Sequence, residues 1–235
     1  MYTKQLKGAQ KVVIFLILLG ISFITYSQDT TQKSKSILIL GDSHLVGDFG
    51  EYLHRYLYKM DKYDITSIAI GGAGSVHFTM TMKNFCCGYK IRVSKKGEVV
   101  GEKERFRTLE IQRVLTNEVV YKEYDGKLSK LVAAEKPDIV LIALGSNYVN
   151  AHQDLINIIQ SNSADSKIIW IGPFLRENFQ ARIDAILKIT NKYKIPLVRS
   201  DDIIGNDTLT TTHFYGKTAS NWALKVTERL KPHLN

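Results

Sequence analysis

Cysteine is almost missing from this chain: its 235 residues hold two, Cys86 and Cys87, and they are adjacent. Neighbours in sequence cannot staple distant segments, and two thiolates do not complete a structural zinc site, so neither a disulfide scaffold nor a zinc module is expected. The pair reads as small and apolar, open to oxidation in an extracytoplasmic compartment. No histidines and acids recur at metal-ligand spacing, so no metal and no cofactor is called for. Arginines do not interleave with aromatics, and the basic residues are scattered, which argues against nucleic acid as a partner. Gly71-Gly72-Ala73-Gly74 lacks the third glycine and downstream acid of a dinucleotide fingerprint. There is no internal repeat, and no apolar run long enough to span a bilayer comfortably.

What is present begins with the first thirty residues. Lys4, Lys7 and Lys11 stand in residues 1–11 without an acid, residues 12–24 are almost wholly apolar, and Thr25-Tyr26-Ser27 puts small residues at the −3 and −1 positions of a cleavage site. This is the form of a secretory signal. Residues 1–27 are expected to be removed, leaving an exported protein, periplasmic or extracellular, with no membrane span. An uncleaved anchor is the alternative; with no cysteine near the junction, a lipid anchor has no attachment point. Without those three lysines, 29 of the 32 basic residues remain against 23 acidic, a formal charge of +6. That charge is compatible with an acidic cell-wall or membrane surface.

Polar residues 28–35 read as a flexible lead-in. The remainder, 36–235, is ample for one α/β domain and short for two. Its organising stretch is ILILGDS, residues 37–43. Four apolar residues in a row predict a strand buried on both faces, and Leu45, Phe49, Leu53, Tyr56, Leu57 and Met60 then predict a helix over about 46–59. Similar apolar strands are expected at 64–70, 137–144, 167–171 and 196–199, alternating with helices at about 128–135, 153–160, 179–193 and 218–230. The alternation predicts a three-layer α/β/α sandwich around a parallel sheet of about five strands. Residues from about 84 to 125 break the rhythm. They read as a β-containing insertion with a hairpin at 89–93 and 98–100, a short helix at 107–115 and a strand at 119–124, walling one side of a cleft.

Three strand ends carry polar or glycine punctuation: Gly41-Asp42-Ser43, Gly71-Gly72 and Gly145-Ser146-Asn147. His213 lies on a loop before the last helix. In a parallel sheet such ends converge on one edge. Acyl transfer needs a hydroxyl that attacks, a neutral imidazole that takes its proton, and N–H donors for the oxyanion. Ser43, His213, the backbone N–H groups of Ser43 and Gly72, and the Asn147 side chain could supply all of them. Read alone, Asp42 or Ser43 would simply cap a helix.

The order GDS, glycine after the second strand, GxN after the third and a C-terminal histidine is similar to that of the SGNH (GDSL-type) hydrolases. Gly172-Pro173 and the block HFYGKTASNWA add to the resemblance, which spans residues 36–230 apart from the insertion. It implies a flavodoxin-like fold, Ser43 as nucleophile, His213 as general base, and Ser43, Gly72 and Asn147 as the oxyanion hole, with Gly71 and Gly74 as substitutes for Gly72. Two positions depart from the family. Thr210 stands where an aspartate usually precedes the histidine by three residues, and Tyr148 follows Asn147 in place of an aspartate. A Ser–His dyad is therefore expected, with Asp207, Asp201 and Asp202 as loop acids within range. His44 reads as a pocket or exposed residue, His54 and His77 as surface or packing residues, and His152 as a cap or solvent-facing one. The run GDSH-x-x-GD is similar to bacterial esterases that remove O-acetyl groups from cell-wall glycans, so the resemblance implies an acetylated glycan ester as substrate. A lipase or short-chain carboxylesterase, an acyltransferase, and a non-catalytic glycan-binding scaffold are the alternatives.

Overall fold

The computed structural model describes residues 34–60, 62–81, 87–95, 98–105, 127–147, 151–173, 180–200, 202–203 and 213–234. Strand β1 (Lys35–Gly41) is followed by a one-turn helix α1 (Ser43–Val46) and by α2 (Asp48–Tyr58). The helix expected over 46–59 is α2, and a one-turn helix that the sequence reading did not separate precedes it. The two break at Gly47, whose extended backbone (φ −79°, ψ −164°) ends one and starts the other. Then come β2 (Tyr63–Ile70), the short α3 (Ser75–Thr79), β3 (Tyr89–Lys95), β4 (Glu98–Arg105), α4 (Leu128–Glu135) and β5 (Ile139–Ala143). The chain finishes with α5 (His152–Asn162), β6 (Lys167–Ile171), α6 (Gln180–Tyr193), β7 (Leu197–Val198) and α7 (Gly216–Leu230).

One seven-stranded sheet runs in the order β4-β3-β2-β1-β5-β6-β7. The five strands expected from the apolar runs, β1, β2, β5, β6 and β7, pair in parallel. The hairpin of the insertion extends the same sheet, β3 lying antiparallel to β2 and β4 antiparallel to β3. The insertion's expected helix at 107–115 and strand at 119–124 fall outside the described residues. Because successive strand residues face opposite ways, Leu38, Leu40, Val140 and Ile142 pack under α4, α5 and α6, while Ile37, Ile39 and Leu141 pack under α1, α2 and α7. Both faces are apolar because both are covered, which is why these strands show no alternation in sequence.

Strand β1 has β2 on one side and β5 on the other. The chain thus changes direction across the sheet between them, and such a switch point leaves a crevice at the strands' C-terminal ends. The turns holding Ser43, Gly72 and Asn147 all leave from those ends.

Candidate active site

Asp42 caps α1: its backbone is extended (φ −97°, ψ −154°) and its Oδ1 accepts from His44 N–H at 2.9 Å. The Ser146 hydroxyl and backbone N–H also donate to this carboxylate. It is 2% exposed, and burial pushes it up from 3.8 to about 7, those three donors and its own backbone N–H opposing the rise. Asp42 thereby joins the turn that carries Ser43 to the turn that carries Asn147. Arg182, reaching in from α6, donates to the Ser146 carbonyl. Nδ2 of Asn147 donates to the Ala73 carbonyl at 3.0 Å, using one of its two hydrogens and tying this turn to the Gly71-Gly72 turn. Gly72 sits at φ +72°, the left-handed region that favours glycine.

His213 comes from the other end of the chain. Its ring centroid lies 5.0 Å from that of His44, and the His44 ring meets the edge of Trp222 at 5.5 Å. The start of α7 has no cap from its own side chains; Asp48 Oδ2 accepts from Gly216 N–H at 2.7 Å instead, across 168 residues. That bond pins the segment 213–215 beside the turn that carries Ser43. Ser43, His44, Asp48, Glu51, Lys90, His213 and Tyr215 are among the residues lining one pocket of about 340 Å³. Ser43 and His213 are therefore brought together. Gly72 and Asn147 are linked to each other through Ala73 and to Ser43 through Ser146 and Asp42, and neither lines that pocket.

Of the acids considered for His213, Asp202 is engaged elsewhere. Arg229 holds both its oxygens, at 2.6 and 3.1 Å, and keeps the carboxyl below its ordinary range. Asp201, Asp207, Thr210 and Tyr148 lie outside the described residues. Among the described residues no three histidines, cysteines or acids gather in metal-binding fashion, and no helix is long and apolar enough to cross a membrane.

Some of the histidines and cysteines match one of their sequence readings and others depart from theirs. His44, read as a pocket or exposed residue, is buried within the pocket wall. His54 is not at the surface; it is buried between Ser67 Oγ (2.6 Å) and Ser94 Oγ (2.8 Å). His152 packs edge-on against Trp170 at 4.9 Å, and burial lowers its pKa. His77 accepts from Gly74 N–H through Nδ1 at 2.9 Å. Cys87, expected to pack as an apolar residue, is exposed; Cys86 is outside the described residues. The sequence reading of Asp42 as a helix cap matches the structure, but its tie to Ser146 was missed, as were Asp48, Lys90, Arg92 and Arg182. For Lys90, Arg92 and Ser94 the signal was there, three polar residues alternating with Tyr89, Ile91 and Val93, but alternation of that kind ordinarily means a solvated face. Here that face is buried: the three are 8%, 3% and 1% exposed.

No protein-family model matches this sequence, and no curated protein does. Solved structures do match in fold. Est24, a carbohydrate acetylesterase from Sinorhizobium meliloti, superposes with a TM-score of 0.51 at 10% identity over 86% of this chain and 100% of its own. A family two carbohydrate esterase from Cellvibrio japonicus gives 0.51 at 12% identity over 84% of this chain, which spans 61% of that one. A DUF4886 family protein from Bacteroides uniformis gives 0.51 at 14% identity, over 85% of this chain and 84% of the other. At such identities the likeness is one of fold, and the fold is that of the SGNH hydrolases.

Proposed function

We propose that this chain is an exported serine esterase working through an acyl-enzyme at Ser43, with O-acetylated carbohydrate as its substrate. The observation that carries the reading is that Ser43 and His213, 170 residues apart, line one pocket. The His213 imidazole takes the hydroxyl proton as Ser43 Oγ attacks the acetyl carbonyl. The oxyanion is held by the N–H groups of Ser43 and Gly72 and by the remaining Nδ2 hydrogen of Asn147. The sugar hydroxyl leaves with the proton from His213. Water then attacks the acetyl-serine, its proton passing to His213; as the ester C–O bond breaks, His213 returns that proton to Ser43 Oγ and acetate departs. His213 acts without the usual aspartate at 210, as a dyad base.

Three things support a carbohydrate. Asp48, Glu51 and Lys90 give the pocket wall groups that hydrogen-bond to hydroxyls, and Tyr215, 69% exposed, offers a ring face beside them. A long acyl chain would need a continuous apolar patch instead. The leader-like residues 1–27 and the basic remainder suit an extracytoplasmic, acidic surface. Finally, two of the proteins sharing this fold are described as carbohydrate esterases.

The test is steady-state kinetics on p-nitrophenyl acetate, on longer p-nitrophenyl esters and on an O-acetylated glycan. Ser43→Ala and His213→Ala should both abolish turnover while circular dichroism stays that of the wild type. Asn147→Ala should lower kcat by roughly 10²–10³, the usual cost of one oxyanion donor, with less effect on KM. A folded Ser43→Ala protein with wild-type turnover would sink the reading, and a preference for long acyl chains would move it to lipase.

A further inference from the structure

We infer that the inserted hairpin positions the nucleophile: Arg92 on β3, by donating to the carbonyls of Leu45 and Val46, holds in place the one-turn helix that carries Ser43. The inference rests on the reading of Ser43 as nucleophile.

Helix α1 has four residues, too few to sustain a helix on their own. Its first turn is held by Asp42, but its last carbonyls have no partner within so short a helix. Arg92 supplies partners from another strand. Its Nη1 donates to Leu45 O at 3.0 Å and its Nη2 to Val46 O at 3.3 Å, and the residue is 3% exposed. Two acceptors on successive residues suit the planar fork of a guanidinium, which a lysine ammonium does not reproduce. The Leu45 carbonyl has no slack toward α2 either: it lies so close to Gly50 that a Cβ there would overlap it. Both α2 and the guanidinium confine the carbonyl.

The same strand reaches the other half of the site. Gly71 N–H donates to the Gly88 carbonyl at 2.8 Å, and a Cβ on Gly71 would overlap the Cys87 carbonyl. The residues leading into β3 therefore brace the turn that holds Gly72, while Arg92 braces the turn that holds Ser43. Lys90, two residues nearer the crevice on the same face as Arg92, lines the pocket. An excursion from the parallel-sheet rhythm thus spans the nucleophile's helix and the oxyanion turn. A shift of about 1 Å in a reacting group can cost on the order of 10²-fold in rate.

The test uses the full chain as wild type and as Arg92→Met, Arg92→Gln and Ser94→Ala. Ser94 lies two residues along the same buried face and bonds to His54, not to α1. For each protein, folding is followed by circular dichroism, kcat and KM are measured on p-nitrophenyl acetate, and the rate at which a fluorophosphonate labels Ser43 is recorded. Folded Arg92 variants should lose about 10- to 100-fold in kcat and in labelling rate together, with KM within about twofold. Ser94→Ala should lose melting temperature but keep kcat. A folded Arg92 variant at wild-type kcat overturns the inference, and so does an equal loss of kcat in Ser94→Ala, which would mean general loosening of the hairpin. If neither Arg92 variant folds, the arginine is a requirement of folding and not a positioning residue. A wild-type protein that neither hydrolyses the ester nor is labelled instead removes the serine-esterase reading, and the inference falls with it.

Discussion

Asp42 stands one residue from Ser43, the proposed nucleophile, and its proton is a measurable quantity. In the unfolded chain its carboxyl ionises near its ordinary 3.8; in the folded protein burial holds the proton until about pH 7. Between those values the folded state binds more protons than the unfolded one, so stability falls as pH rises through this window. The contribution is undiminished below pH 3.8 and stays reduced above 7. From pH 5 to pH 8.5 Asp42 should cost the wild type about 3 kcal/mol of stability. Asp42→Asn, which carries no titrating proton, should show a flatter dependence in denaturant titrations at these two pH values. It should also sit lower at pH 5, because the amide cannot accept from all three donors. Equal slopes in the two proteins would mean that Asp42 ionises normally in its buried place.

At the scale of elements, the junction of α1 with α2 is the tightest contact around the site. Leu45 O accepts from Arg92 and also lies against the bare Cα of Gly50. Gly50→Ala gives helix α2 a better helix former, yet its methyl would have to displace the backbone of the turn that carries Ser43. Overpacking of this kind costs about 1–3 kcal/mol, against a gain of about 1 kcal/mol from helix propensity. We expect a net loss of melting temperature of a few degrees, since each kcal/mol is worth about 2–4 °C in a domain of this size. A Gly50→Ala protein that melts higher than the wild type would show that α1 yields easily. The hairpin makes the same point about legibility. Its two strands could be read at 89–93 and 98–100, but not their full length, their attachment to β2 or the burial of Lys90, Arg92 and Ser94. Whether an alternating face meets water or helices depends on what packs over it, and β3 lies under α1 and α2, whose residues precede it by more than thirty positions.

For the whole molecule, the expected behaviour concerns residues 1–27. If residues 1–27 are a leader, as proposed, protein recovered outside the cytoplasm of its native host should begin near Gln28, which N-terminal sequencing would read; Met1 on that material would mean an anchor in place of a leader. Much of the architecture was written in local pattern. The five parallel strands are runs of branched and long aliphatic residues closed by glycine or a polar residue, a pattern that follows from burial on both faces and survives in the sequence unaided. Gly41-Asp42-Ser43, Gly71-Gly72 and Gly145-Ser146-Asn147 were legible for the same reason: a chain leaving a buried strand needs turn chemistry there. Other relations had no local trace. Asp48 bonding to the start of α7, Ser146 donating to Asp42, Arg182 holding the Ser146 carbonyl and Arg92 clamping α1 all join residues far apart along the chain. Each is an ordinary polar residue in its own neighbourhood. Sequence by itself determined which elements form and where polar residues end them, because propensity and burial act within a few residues. Only the tertiary structure decided which of those polar residues meet, because strand order and helix packing, not spacing, set the distances between them.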